Sequence, residues 1–298
     1  MHNIEALKLL FVINPISGGK EKHDWEKSIR EYFREKPHSA EFYLLSGEDD
    51  KKSVQHYIDR IKPNIAVAVG GDGTVKMMAD LLKETNISLG IMPAGSANGM
   101  AKELNIPVDV DAALDIIVNG ESKKIDVIRI NEEHISIHVS DIGLNAMLVK
   151  YFEQSEKRGM WGYGKAVFKM LWLKQKMKVT IVADGQTIKR YAYMVAIANA
   201  CKYGTGANIN PDGDIADGKF EIVVIRKLNV FEICKAIFTD KSFHPKRIEV
   251  FSVKNAEILV HKKAYFQIDG EFMGKVTSVK ARILPQILWV MVPKEEAK

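Results

Sequence analysis

The chain has 298 residues and a formal net charge of +5, with 46% hydrophobic and 27% charged residues. That length can bury a substantial core as one large or two ordinary domains, and no apolar run is long enough to span a bilayer. The opening MHNIEALKLLFVINP lacks a basic n-region and a small-residue cleavage site, and Cys201 and Cys234 have no metal-ligand spacing. A secretory signal is therefore not expected; a reduced, cytoplasmic compartment is, with both cysteines as inert core thiols.

Taken in chain order, the first ~125 residues alternate strand and helix signals. Strands are expected at 8–13 (KLLFVI), 41–45, 65–69 and 87–92, with helices at 24–35, 51–61, 75–83, 97–104 and 109–118. Asp109 is placed to open the last helix and Asn119-Gly120 to close it. Continuous apolar strands separated by helices of about three turns predict a parallel sheet covered on both faces. Beyond a short link near 120–128 the pattern becomes short β runs: DVIRI, ISIHVS, KVTIVA, YMVAIAN, FEIVVI, RIEVFSV, EILVH, YFQID, VKARIL and ILWVMV. With Asp184-Gly185 and Asp217-Gly218 as turn signals, these predict an antiparallel sandwich or barrel. An apolar helical insert at 160–175 and a short helix near 229–238 interrupt it.

Between Lys150 and Arg190 stand ten Lys/Arg against three acids, interleaved with Trp161, Tyr163, Phe168 and Trp172. This reads either as a solvated helix face over an aromatic core or as a surface that meets anionic phospholipid. Nucleic acid is not expected, because no nucleic-acid-binding motif accompanies the charge. His134 and His138 read as strand residues on one face, with no metal between them.

Three loops fall at the carboxyl ends of parallel strands, where ligands bind in such sheets. In IAVAVGGDGTVKMMADLL (65–82), Gly70, Gly71 and Gly73 would let consecutive N–H groups point into one anion-binding concavity ahead of a helix. Asp72 could approach phosphate there only as a magnesium partner, since bare carboxylate and phosphate repel; otherwise the stretch is an Asp-Gly turn with Thr74 as N-cap. The first loop is Asn14-Pro15-Ile16-Ser17-Gly18-Gly19-Lys20, which lacks Walker A spacing. Ser17 and Gly18 could donate to phosphate oxygens there while Asn14 braces the loop. The third is Pro93-Ala94-Gly95-Ser96-Ala97-Asn98-Gly99, in which Gly95 and Ser96 could cradle phosphate and Asn98 brace the neighbouring loop. Three donor-rich loops at one sheet edge describe a nucleotide site.

In order and spacing, NPxSGG, GGDGT and PxGSxN resemble the diacylglycerol kinase catalytic domain family, which includes bacterial lipid kinases, sphingosine kinases and ceramide kinases. The resemblance implies a Rossmann-like α/β domain over 1–125 and a mainly antiparallel β-sandwich over 126–283. ATP would lie between them, the sandwich would hold the lipid acceptor, and residues after about 284 would return to the first domain. Asn210–Phe220 resembles the family segment that binds a structural Mg2+; Asp217 would supply a carboxylate, and Asp214 and Lys219 backbone carbonyls. Ile268-Asp269-Gly270-Glu271 resembles the family's DGE. Asp269 would accept the proton of the acceptor hydroxyl and Glu271 would join the magnesium and water network, two carboxylates at i and i+2 on one face of an extended chain. The other reading of these residues is an Asp-Gly hairpin.

The chain departs from the family at Lys76 and Met77, where Asn-Glu is usual, and at Gly99, where Asp is usual. Met147 follows Gly143-Leu144-Asn145-Ala146 where sphingosine kinases place an acid, so a sphingosine-like acceptor is not supported. The expectation is an ATP-dependent, Mg2+-requiring kinase of a lipid hydroxyl such as that of diacylglycerol, in phospholipid metabolism. It would be cytoplasmic and touch the inner membrane face. Two alternatives are a kinase of a soluble acceptor, like the NAD kinases, and a nucleotide- or lipid-binding regulator with little turnover. Oligomeric state stays open, a homodimer included.

Overall fold

The computed structural model describes residues 6–17, 24–147, 176–199, 202–203, 207–208, 214–227 and 248–294. The helices expected at 160–175 and 229–238, most of the basic stretch, both cysteines and Gly18 lie outside the described residues. Two compact units divide the chain: Met1–Ile125 with Gln286–Lys298, and Asp126–Pro285.

The first unit alternates β1 (Lys8–Ile13), α1 (Trp25–Phe33), β2 (Ser39–Leu44), α2 (Asp50–Ile61), β3 (Ile65–Gly70), α3 (Asp72–Leu82), β4 (Ser88–Pro93), α4 (Gly99–Glu103) and α5 (Val110–Asn119). β1 pairs in parallel with both β2 and β3, and β3 with β4. The order β2-β1-β3-β4 reverses direction between β1 and β3, which makes the gap between their carboxyl ends the topological switch point where open α/β sheets bind ligands. Every residue of β3 and β4 is buried, as expected of strands covered on both faces. Asp24 and Asp109 cap α1 and α5 by accepting from the N–H groups of Lys27 and Ala112, each cap worth about 1 kcal/mol.

The helix expected from residue 75 begins three residues earlier. Gly71, not Thr74, is the N-cap of α3, so the Asp-Gly pair forms the helix's first turn instead of a turn preceding it. The short link expected near 120–128 contains the boundary between the units, at Ile125 and Asp126. β5 (Glu121–Ile130) runs through it as one strand, because Ile125, Val127, Ile128 and Ile130 are all fully buried and leave no exposed break.

The second unit adds β6 (His134–Ser136), β7 (Val139–Gly143), β8 (Met177–Ala183), β9 (Gln186–Ala192), β10 (Met194–Ala198), β11 (Lys202–Tyr203), β12 (Ala207–Asn208), β13 (Phe220–Ile225), β14 (Ile248–Val253), β15 (Asn255–Ile268) and β16 (Glu271–Val292). The antiparallel order is β14-β13-β10-β7-β15-β16. β15 is shared: Ala256–Val260 pair with β8, and Phe266–Ile268 pair with β7. Register shifts between these stretches bend the strand, the usual device by which one strand serves two parts of a sandwich. This is why EILVH and YFQID, read separately in the sequence, form one strand. VKARIL and ILWVMV likewise join in β16 across Pro285, next to Gln286 at φ 51°. Ile142, Ile197, Phe220, Ile222, Phe266 and Ile268 belong to the main core, while Val139, Ala196 and Val223 form a smaller cluster.

Candidate functional site

Candidate residues fall in both units. In the first unit the loops after β1, β3 and β4 are tied together by their own polar groups. Asn14 accepts from the Ile16 N–H through Oδ1 (3.1 Å) and donates through Nδ2 to Thr74 Oγ1 (3.4 Å), linking the first loop to α3. Asp72 Oδ1 accepts from the Met100 N–H (3.1 Å), linking α3 to α4. Asn98, expected to brace the neighbouring loop, braces its own instead. From a left-handed φ of 49° its side chain accepts from the Gly95 N–H and donates to the Gly95 carbonyl, both at 2.9 Å.

The glycines are fixed by close approach. A Cβ on Gly95 would stand 2.5 Å from Gly71 Cα, and one on Gly70 2.4 Å from Thr74 Oγ1. Two backbones therefore touch where the loops after β3 and β4 meet, and only glycine permits it. Above this contact begins α3; its Thr74 and Val75 N–H groups donate to the Gly71 carbonyl, and the N–H groups ahead of them have no carbonyl within the helix to meet. Gly73 and Ser96 are exposed beside it, as is Pro15, and Ser17 is half-buried. The arrangement fits an anionic group: an N-terminal helix field, exposed hydroxyls, and backbone cleared of side chains. Asp72 sits in that same first turn, where its charge already complements the helix dipole. Lys76 and Met77 are half-buried on the following turn.

In the second unit, Asp269 and Gly270 form the two-residue turn between β15 and β16, with Ile268 paired to Glu271. Their φ angles of 48° and 89° are both positive, the conformation that favours Asp-Gly in tight hairpins. The expected extended segment with two carboxylates on one face is thus replaced by a tight turn. Asp269 is buried and Glu271 exposed. The Asp269 carboxylate accepts three hydrogen bonds, from Ser136 Oγ (2.8 Å), the Ile137 N–H (3.0 Å) and the His138 N–H (3.1 Å). Ser140 donates in turn to Ser136 (2.9 Å). These donors fill three of a carboxylate's roughly four acceptor positions. His138 is therefore not a simple strand residue: it lies between β6 and β7, buried, with its N–H on Asp269.

Asp214, Asp217 and Lys219 lie on one exposed loop. Asp217 Oδ1 accepts from the Lys219 N–H (2.9 Å), Asp214 Oδ1 from the Ala216 N–H (3.0 Å), and the Asp217 N–H reaches the Asp214 carbonyl (3.4 Å). Among the described residues no three His, Cys, Asp or Glu side chains converge as a metal cage. One carboxylate with backbone carbonyls is a hard-oxygen donor set suited to magnesium. Buried Asp126 closes the loop from beneath, accepting from the Gly218 N–H (2.6 Å) while its own N–H meets the Ile215 carbonyl. Asp126, Ser136 and the Met100 amide belong to no motif in the sequence. Only Asp126, an acid inside the apolar run IDVIRI, left a signal.

Residues 8–130 match the diacylglycerol kinase catalytic domain, and residues 138–292 match the YegS C-terminal NAD kinase beta sandwich-like domain. The chain belongs to the diacylglycerol kinase catalytic domain family. Within it, a curated relative named diacylglycerol kinase, from Staphylococcus aureus (strain Newman), is 26% identical over 221 residues, covering 72% of this chain and 70% of the relative. A solved diacylglycerol kinase from Bacillus anthracis str. Sterne superposes with a TM-score of 0.73 at 19% identity, covering 97% of both chains. An NAD kinase from Archaeoglobus fulgidus in complex with ATP shares the fold more distantly, with a TM-score of 0.54 at 12% identity, covering 95% of this chain and 93% of that one. The family is one of kinases, so phosphoryl transfer from a nucleotide is the reaction class. No helix among the described residues is long and apolar enough to cross a membrane.

Proposed function

We propose that the protein is an ATP-dependent lipid kinase that transfers the γ-phosphoryl group to a hydroxyl of an amphiphile of the diacylglycerol type. The observation that carries this reading is the cross-linked trio of loops at the β1/β3 switch point, with Gly71 against Gly95 and Asp72 tied to Met100. Such a preformed cradle holds phosphate without reorganising, and phosphoryl transfer is mostly positioning and charge stabilisation.

In this reading Ser17, Gly18, Gly70, Gly71, Gly73, Thr74, Gly95 and Ser96 contact the nucleotide, while Asn14, Pro15 and Asn98 shape the loops. Asp269 uses its remaining acceptor position to orient the acceptor hydroxyl and take its proton as that oxygen forms the new bond to phosphorus and the bond to ADP breaks. Magnesium, when bound, would supply charge neutralisation: in the first unit Asp72 Oδ2 is the proposed oxygen for it, in the second Glu271 would join a magnesium and water network, and Asp217, with the Asp214 and Lys219 carbonyls, would hold a structural ion. The basic stretch between Lys150 and Arg190 would meet anionic lipid.

The test is transfer of labelled phosphate from ATP to a panel of lipid headgroups, with NAD beside them because an NAD kinase shares the fold. Transfer to a lipid, reduced at least about 100-fold in Asp269→Asn, is expected. Transfer to NAD alone, or ATP binding with no transfer to any acceptor, would sink the lipid-kinase reading.

A further inference from the structure

Two buried side-chain atoms among the described residues have no hydrogen-bond partner: His138 Nε2 and Asn199 Oδ1. The two residues are neighbours. The Asn199 N–H donates to the His138 carbonyl at 2.9 Å, continuing the β7–β10 ladder one step beyond the Val139–Ala198 pair. Residues directly opposite in a ladder put their side chains on the same face. His138 is 8% and Asn199 2% exposed.

Hydrogen bonds tie the two residues to Asp126 and Asp269. Asn199 Nδ2 donates to the Asp126 carbonyl at 2.7 Å, which fixes the amide with its oxygen outward from that bond. The His138 N–H is on Asp269, whose carboxylate also holds Ser136 and Ile137. An unpaired buried acceptor or ring nitrogen carries its full desolvation cost, and two in adjacent positions point to one shared partner.

We infer that His138 and Asn199 bind a second hydroxyl of the acceptor, so that the preferred substrate is a lipid with a diol headgroup, such as a monoacylglycerol, and not a lipid with a single free hydroxyl. The inference rests on the lipid-kinase reading. A hydroxyl is the group that fits both atoms: it donates to the amide oxygen of Asn199 and accepts from the ring N–H of His138. An ester carbonyl or a phosphate oxygen satisfies the histidine alone and meets the asparagine oxygen as a second acceptor. The adjacent Asp269 takes the reacting hydroxyl, and its bond to the His138 N–H sets the second binding point one residue away.

The experiment compares 1-monooleoylglycerol with 1,2-dioleoylglycerol in mixed micelles, using the full chain and labelled ATP. Wild type is expected to favour the monoacylglycerol by about 10-fold in kcat/KM, the size of one or two neutral hydrogen bonds. His138→Leu should bring that ratio to near one by raising KM for the monoacylglycerol, with KM for ATP unchanged. His138→Gln, which keeps an N–H donor, should retain most of the preference. Equal use of both lipids by wild type would overturn the inference whether or not the variants fold. So would a preference untouched by His138→Leu, the result expected if the pair holds only a buried water. Calorimetric titration of monooctanoylglycerol and dioctanoylglycerol without ATP separates the two readings. Selective binding of the first, with no transfer to any lipid, would remove the kinase and keep the diol site. Transfer with no binding selectivity would do the reverse.

Discussion

A methyl group on Gly95 would have to occupy space 2.5 Å from Gly71 Cα and 2.9 Å from Asn98 Oδ1. The first obstacle is backbone at the start of α3 and cannot swing aside, so Gly95→Ala must pry apart the loops after β3 and β4. The expected result is a loss of about 1–3 kcal/mol of stability and at least a tenfold weaker ATP affinity, read by thermal melts and by titration calorimetry. Unchanged ATP binding would show that the loop contact is architectural only. These loops were legible in the sequence because glycines clustered at strand ends carry their own signal. The bonds that lock them were not: Asp72 reaches a backbone amide at Met100, and an amide donor leaves no trace in residue type. Asp269 was legible as a carboxylate in an Asp-Gly step but not as a buried one, since burial there depends on Ser136 and on the β6–β7 turn more than 130 positions away.

At the scale of the helices, α2 and α3 are joined through Asp80, which pairs with Lys51 of α2 and with Lys83 just past the end of α3. Burial pushes the Asp80 carboxyl up, but hydrogen bonds and charge from the two lysines outweigh it and hold the group below its ordinary value of 3.8. A carboxyl depressed in the folded state stabilises above its unfolded value and loses that contribution as pH falls through the folded one. Asp80→Asn should therefore cost about 1 kcal/mol at pH 7, and the gap in Tm should close as pH is lowered past 4. A gap that stays constant with pH would mean the lysines contribute packing instead of charge. Helix ends such as Asp109 and Gly120 could be read from the sequence because capping uses particular side chains. The continuity of β15 and β16 could not. A register shift in one and Pro285 in the other break the alternation that marks a strand, and pairing partners restore it only in the folded chain.

For the whole molecule, the change from alternating α/β to β-rich texture near residue 125 was visible, and the architecture follows it. What could not be seen was how the chain passes between the units, because β5 and β16 cross as strands with no loop composition to mark them. The end of β16 completes the first unit: Val290 pairs with Leu89 of β4, the Ile287 carbonyl accepts from the Glu84 N–H, and Lys124 lies over the Trp289 ring. Leu288 and Val290 are fully buried. Truncation after Pro285 should thus unfold or strongly destabilise residues 1–125 although it deletes none of them. Hydrogen exchange would register this as lost protection in β3 and β4; protection equal to that of the full chain would contradict it.

That closing strand also sets an order of events during synthesis. The β1 to α5 segments leave the ribosome first, yet their sheet lacks its last member until the chain has been made through Val292. Until then the outer side of β4, buried in the finished protein, stands as an unpaired parallel edge, the kind of surface that invites pairing with another chain. The newly made protein would therefore depend most on chaperones in the interval between residue 125 and residue 292, and a stop codon anywhere in that span would leave behind an aggregation-prone nucleotide half, not a shortened kinase.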